Sequence, residues 1–272
     1  MSISKLIKER RSVRSYTEEP LSKEHSDAIT NYIASLKAPF GVIAHINLIH
    51  TKIGNERIKL GTYGFIKGAT DFLTLSYKES PLAEEGAAYL FEQVVLFCTE
   101  LGLGTCWLGG SFSRKAFKEQ LSLGAEERLK VVSPVGHPSN KKHIIERLMG
   151  AEGNHKSRKS FGSLFYNNSF STPLTEENAG VYKTPLEMVR IAPSANNSQP
   201  WRILLLDNMV HFYKCPPSIG NFSAIDMGIA LCHFEQSCLE LDINGKFEVL
   251  SSPANISTPK KYIYVISWKL SN

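Results

Sequence analysis

Arg10, Arg11, Ser12 and Arg14, within RRSVRSY, put three guanidinium groups and a hydroxyl into five consecutive positions. Guanidinium forks grip phosphate oxygens in pairs, so this cluster could hold a phosphate. A helix C-terminus, where the macrodipole favours cations, accounts for the same residues. Lys156 and Arg158, in HKSRKS, stand at i and i+2, which in extended chain sends both side chains to one side. A solvated basic loop has that composition too. APSANNSQPW, Ala192 to Trp201, is different in kind. Pro193 and Pro200 stiffen it, and Ser194, Asn196, Asn197, Ser198 and Gln199 crowd donors and acceptors into little chain. A helix-capping turn would not need Gln-Pro-Trp after it. GLGTCWLGGSFS sets four glycines around Trp107, which permits close backbone approach to a flat ligand or a phosphate. It lacks the strand, GxGxxG and helix order of a dinucleotide fold, and a tight turn explains it equally.

These groups need elements to hold them. Ile3, Leu6 and Ile7 fall at helical spacing, as do Ile29, Ile33 and Leu36 after the candidate N-cap Ser22. The runs VIAHINLI, TDFLTLSY and LKVVSPVG read as strands, and GAAYLFEQVVLFCTELG as a helix ending at a glycine turn. The pattern then begins again. YTEEPLSKEHSDAITNYIASLKAPF from Tyr16 and FSTPLTEENAGVYKTPLEMVRIAPS from Phe170 share an order of aromatic, Pro-Leu cap, helix and Ala-Pro. The stretches from Gly86 and from Asp226 align without a gap through Glu100 and Glu240. Two matches in one order point to an internal duplication. Gly150 to Ser171, rich in Gly, Asn, Ser and Lys, reads as a connection with few apolar anchors.

A chain of 272 residues, 42% hydrophobic, can bury one sizeable core or two smaller ones. A net charge of +5, with the basic residues thickest at Asn140 to Ser160, suits an anionic small ligand better than a nucleic acid. The five cysteines are odd in number and show no zinc spacing, so neither a metal site nor a disulfide framework is expected. No segment has the apolar length of a signal peptide or a membrane span, and the expected compartment is the cytoplasm.

Taken together, RRSVRSY after an N-terminal helix, APSANNSQPW, GLGTCWLGG and KSR resemble the motifs of the FMN-dependent nitroreductase family, across nearly the whole chain. The resemblance implies an α+β, nitroreductase-like fold, with a central sheet flanked by helices. Members are usually homodimers, with FMN sites built from both subunits. Here the motifs are divided: RRSVR, CWLGG and KSR occur only before Gly162, and PSANNSQPW only after it. The expectation is therefore two pseudo-symmetric halves, 1–160 and 161–272, in one chain mimicking the family homodimer, with subunit exchange in a true homodimer as the alternative. Carried over by position, Arg10, Ser12 and Arg14 would hold the ribityl chain and phosphate, with Lys156 and Arg158 completing the phosphate pocket and Arg11 contributing through its backbone. Pro193, Ser194, Ala195 and Asn197 would reach the flavin ring, and Leu108, Gly109 and Gly110 would cover its other side. Tyr63 and Gly64, in GTYGFIKGA, fall where the family often contacts the ring. The implied activity is electron transfer from NAD(P)H through FMN to a nitroaromatic, quinone or similar electrophile. No nucleophile or general acid is required. The competing reading is a flavin-binding protein without nicotinamide-dependent turnover.

Overall fold

A computed structural model describes residues 1–53, 56–57, 60–140, 157–206, 208–216, 221–251 and 257–271. The chain divides into two units. The first comprises Met1 with Glu9–Asn154, and the second comprises Ser2–Lys8 with His155–Asn272. The opening helix α1 (Ile3–Glu9) therefore belongs almost wholly to the second unit.

In the first unit, α2 (Lys23–Ser35) starts where the sequence places its cap, with the Ser22 hydroxyl accepting from the His25 amide at 3.1 Å. Strands β1 (Ala44–His50), β4 (Asp71–Lys78), β5 (Gly104–Thr105) and β6 (Glu127–Gly136) form an antiparallel sheet ordered β1-β4-β6-β5. A small separate ribbon pairs β2 (Lys52–Ile53) with β3 (Glu56–Arg57). β4, the TDFLTLSY run, is buried along almost its whole length, the polar Thr74 and Ser76 between Leu73, Leu75 and Tyr77 included. The 18-residue helix α3 (Ala83–Glu100) packs against β4 with Ala87, Phe91, Val94 and Val95 fully buried. Ile49, Phe72 and Val132 from the sheet join a cluster with Val13, Tyr16, Cys106, Leu108, Phe112 and Phe117, next to the short helix α4 (Arg114–Lys118). That cluster is what ties the RRSVRSY and glycine-tryptophan segments to the sheet.

The second unit has five strands ordered β10-β11-β9-β8-β7: β7 (Phe165–Asn167), β8 (Trp201–Leu206), β9 (Met209–Lys214), β10 (Gly245–Glu248) and β11 (Ile263–Leu270). All pairings are antiparallel except β7 with β8. The short helix α5 (Phe161–Leu164) leads into β7. Helices α6 (Lys183–Arg190) and α7 (Ser223–Glu240) pack on each other. Phe234 of α7 meets the rings of Phe212 and Trp268 edge-on, at centroid distances of 5.1 and 5.6 Å. α1 is fastened here as well: the Ser4 amide donates to the Glu240 carboxylate at 3.1 Å, and the Ser4 hydroxyl donates to the same oxygen.

One expectation needs correcting. Within Gly150 to Ser171, Phe161, Leu164 and Phe165 are buried, and β7 is a strand of the sheet rather than part of a connection. Serine, asparagine and glycine around these residues gave the stretch a loop composition, while the parallel pairing to β8 and the burial of three large side chains decide its state. No helix among the described residues is long and apolar enough to cross a membrane.

Candidate functional site

The candidate residues form one group in each unit. In the first, Arg10 to Tyr16 leaves α1 and is pinned between two segments. Ser12 bridges Thr105, the Val13 amide donates to the Thr105 carbonyl at 2.8 Å, and the Tyr16 amide donates to the Lys67 carbonyl at 2.9 Å. Both contacts depend on glycine. A Cβ at Gly104 would lie 2.7 to 2.9 Å from the Val13 side chain, and one at Gly68, where φ is +81°, only 2.2 Å from the Tyr16 carbonyl oxygen. RRSVRSY is thereby held beside both GTYGFIKGA and GLGTCWLGG.

Arg10 is the unusual member. It is 6% exposed, and its Nε has no hydrogen-bond partner among the described residues. Burial lowers its pKa from the ordinary arginine value, with Glu92 and Cys106 opposing that electrostatically. Glu92 is itself fully buried in α3, where it accepts from Trp107 Nε1 at 2.8 Å. Ser12 and Arg14 are half-buried, and Arg11 is exposed. Tyr63 and Gly64 sit in a tight turn at φ +48° and +77°, with Tyr63 68% exposed. The turn is linked to the glycine segment, since the Ser113 amide donates to the Gly61 carbonyl at 2.8 Å. Leu108 points its side chain into the core cluster and exchanges backbone hydrogen bonds of 2.9 and 3.1 Å with Val132. Gly109 accepts from Arg114 at 2.8 Å, and nothing lies within 4 Å of where a Gly110 Cβ would stand.

In the second unit, APSANNSQPW follows α6 as a turn with three non-glycine residues at positive φ: Asn196 (51°), Asn197 (55°) and Gln199 (48°). Such a backbone persists only where its surroundings over-determine it, and strain of this kind gathers at ligand sites. The surroundings here are specific. The Gln199 amide donates to Ser194 Oγ at 2.9 Å, and the Gln199 side chain donates to the Asn197 carbonyl at 2.9 Å. Ser157 to Ser160 closes over the turn: Arg158 donates to Asn197 Oδ1 and, at 3.0 Å, to the Ile191 carbonyl. The Lys159 amide donates to Gln199 Oε1 and its Nζ to the Ser198 carbonyl, each at 2.7 Å. Beneath the turn, Asp226 in the first turn of α7 accepts from the Ala195 amide at 2.9 Å and from Ser198 Oγ at 3.4 Å. Burial pushes the Asp226 carboxyl up to about 7, with those two hydrogen bonds pulling the other way.

The structure thus brings Arg158 to Asn197, and Ser194 and Ala195 into one turn with both. Pro193 precedes that turn, and Lys156 lies outside the described residues. Sequence reasoning missed Glu92, Lys159 and Asp226 as members of these groups. The available signal was polarity out of place. Glu92 and Asp226 are acids on the buried faces of helices whose neighbours are almost all apolar. Among the described residues, no cluster of His, Cys, Asp and Glu could hold a metal ion.

Comparison with known proteins bears on the fold and the family. The crystal structure of a putative nitroreductase from Thermotoga maritima matches 99% of this chain and 94% of its own, at 18% identity and a TM-score of 0.63. That likeness shows the fold. A nitroreductase family protein from Clostridium difficile matches 56% of this chain and 92% of its own, at 21% identity and a TM-score of 0.43. A nitroreductase with bound FMN from Bacteroides fragilis matches 53% and 92%, at 18% identity and a TM-score of 0.42. No curated protein sequence matches the chain. The family model described as Putative TM nitroreductase matches residues 2–238, and the chain belongs to that family.

Proposed function

We propose that the chain is an FMN-dependent oxidoreductase that takes electrons from NADH or NADPH and delivers them to a nitroaromatic, quinone or related electrophile. Arg10 is the observation that carries the reading. A guanidinium 6% exposed, set near the buried Glu92, still has a buried Nε lacking a hydrogen-bond partner among the described residues, and the phosphate of a flavin mononucleotide would supply that partner. The strained Ser194 to Gln199 turn and the uncrowded Gly110 backbone fit a planar ring in the same way.

In this reading Arg10, Ser12 and Arg14 hold the phosphate and ribityl chain, with Arg11 contributing its backbone amide. Lys156 adds a cation to the phosphate pocket. Arg158 serves through the turn it clamps as well as through its charge. Pro193, Ser194, Ala195 and Asn197 line the ring, and Gly109 and Gly110 approach it through the backbone. Leu108 supports them from the core, and Tyr63 and Gly64 border the ring from their own turn. FMN, when bound, supplies the electron relay between nicotinamide and acceptor. The side chains orient it and offset its negative charge.

We also infer that the two halves are a duplication. α3 and α7 are both 18 residues long and end at Glu100 and Glu240, the positions that align without a gap. Five cysteines, odd in number and without framework spacing, suit a reducing compartment, and we place the protein in the cytoplasm.

Anaerobic mixing of the FMN-loaded protein with NADH and with NADPH tests the activity. Bleaching of the flavin band by either donor, and its return on adding a quinone, is the expected result. A yellow protein that neither donor bleaches would leave a flavin binder without turnover, and a colourless protein that takes up no FMN would defeat the reading altogether.

A further inference from the structure

Asp226 is buried, at 3% exposed, and no catalytic step calls for it. Its two oxygens meet the first and last parts of the strained turn, Oδ1 at the Ala195 amide and Oδ2 at Ser198 Oγ. Between those contacts lie Asn196 and Asn197, both at positive φ. Left alone, a turn of this kind would relax toward ordinary backbone, because each left-handed non-glycine residue carries a conformational penalty. Gln199 and Arg158 brace it through Asn197, and Asp226 braces it through both the backbone and a hydroxyl.

We propose that Asp226 is a positioning residue for FMN: in its neutral form it latches the Ser194 to Ser198 turn in the conformation that receives the flavin ring. The proposal rests on the FMN reading above. A protonated carboxyl can keep its contacts to the Ala195 amide and to Ser198 Oγ without burying a charge. An ionised carboxylate keeps both hydrogens pointed at itself but places an unpaired charge in a buried site facing an anionic ligand. The raised pKa is consistent with the neutral form prevailing up to neutrality. The charged groups on the surrounding segments are engaged elsewhere. Arg158 is on Asn197 and Ile191, Lys159 on Ser198 and Gln199, and Arg190 of α6 on Glu187. His233, further along α7, is within 3.1 Å of the Met188 carbonyl.

Two measurements on the full chain test this. The first is FMN affinity of the apoprotein, read by quenching of flavin fluorescence between pH 5.5 and 8.5. In the wild type, affinity should fall as pH rises through about 7. Asp226→Asn keeps the acceptor and the donor without the charge, so it should bind as the wild type does at low pH and lose the pH dependence. Asp226→Ala should bind about tenfold more weakly at every pH, the scale of a lost pair of buried hydrogen bonds. The second measurement is amide hydrogen exchange of the apoprotein, which needs no FMN. Asp226→Ala should lose protection at Ala195 to Gln199 while β8 and β9 keep theirs, and Asp226→Asn should restore it. If Asp226→Ala fails to fold, the asparagine variant still decides through its pH profile. A pH dependence unchanged in Asp226→Asn, or turn protection unchanged in Asp226→Ala, would overturn the latch. Failure of every variant, the wild type included, to bind FMN, with the exchange pattern as expected, would overturn the FMN reading and leave the turn contact standing.

Discussion

At the scale of single residues, burial and charge give the sharpest expectations. Arg10→Ala removes a charge-assisted contact to phosphate, worth roughly 1.5 to 3 kcal/mol, and should weaken FMN binding by about one to two orders of magnitude. Lys23, exposed on α2 beside Asp27, is the control, and its alanine variant should bind FMN within about twofold of the wild type. Equal affinities in a titration of the two variants would remove Arg10 from the phosphate site. Asp226 also makes stability depend on pH. Its folded carboxyl keeps the proton up to about 7, whereas the unfolded chain releases it near ~3.9. Between those values the folded state holds more protons, so the contribution of this group to stability falls as pH rises through the window and is flat on either side. Urea unfolding of the wild type and Asp226→Asn at pH 5 and pH 8 should show the wild type losing more stability over that interval than the variant.

The elements were legible where pattern and packing agree. TDFLTLSY reads as a strand because Leu73, Leu75 and Tyr77 alternate with Thr74 and Ser76, and Ser22 reads as a cap because its hydroxyl does what capping requires. β7 was not legible, since its pairing partner is some 38 residues away at Ile203 and the flanking polar residues carry no periodicity. In the same way RRSVRSY and the glycine-tryptophan segment could be named as motifs, but their contact runs through Gly104 and Val13, two residues that carry no chemistry of their own. That contact can be tested. Gly104→Ala forces the Val13 side chain aside and should cost about 1 to 3 kcal/mol. Gly68→Ala should cost more, because its Cβ meets backbone oxygen and its φ is positive. Denaturant midpoints that rank the two the other way would show that the segment gives more easily at Lys67 than at Thr105.

For the whole molecule, the telling property is the single copy of each motif. RRSVR, CWLGG, KSR and PSANNSQPW each occur once in 272 residues. A chain with one set should take up one FMN, and on the proposed duplication it should do so as a monomer. Flavin absorbance against protein concentration, with light scattering on the same sample, measures both quantities. Two flavins per chain would contradict the division of motifs, and a dimer that sheds FMN on dilution would favour exchange between chains.

The Ser4 to Glu240 contact also has a consequence in time. The two residues are 236 apart in sequence, yet α1 belongs to the unit that Glu240 helps to build. At a synthesis rate of roughly 5 to 20 residues per second, α1 leaves the ribosome about ten to fifty seconds before the end of α7 exists. Through that interval Ser4 lacks its Glu240 partner, and Leu6 and Ile7, buried in the finished protein, belong to a unit whose remaining residues, from His155 on, are made only after residues 9–154. α1 is thus made long before the helix it docks on, and the growing chain must carry its apolar residues until that late-made neighbour arrives.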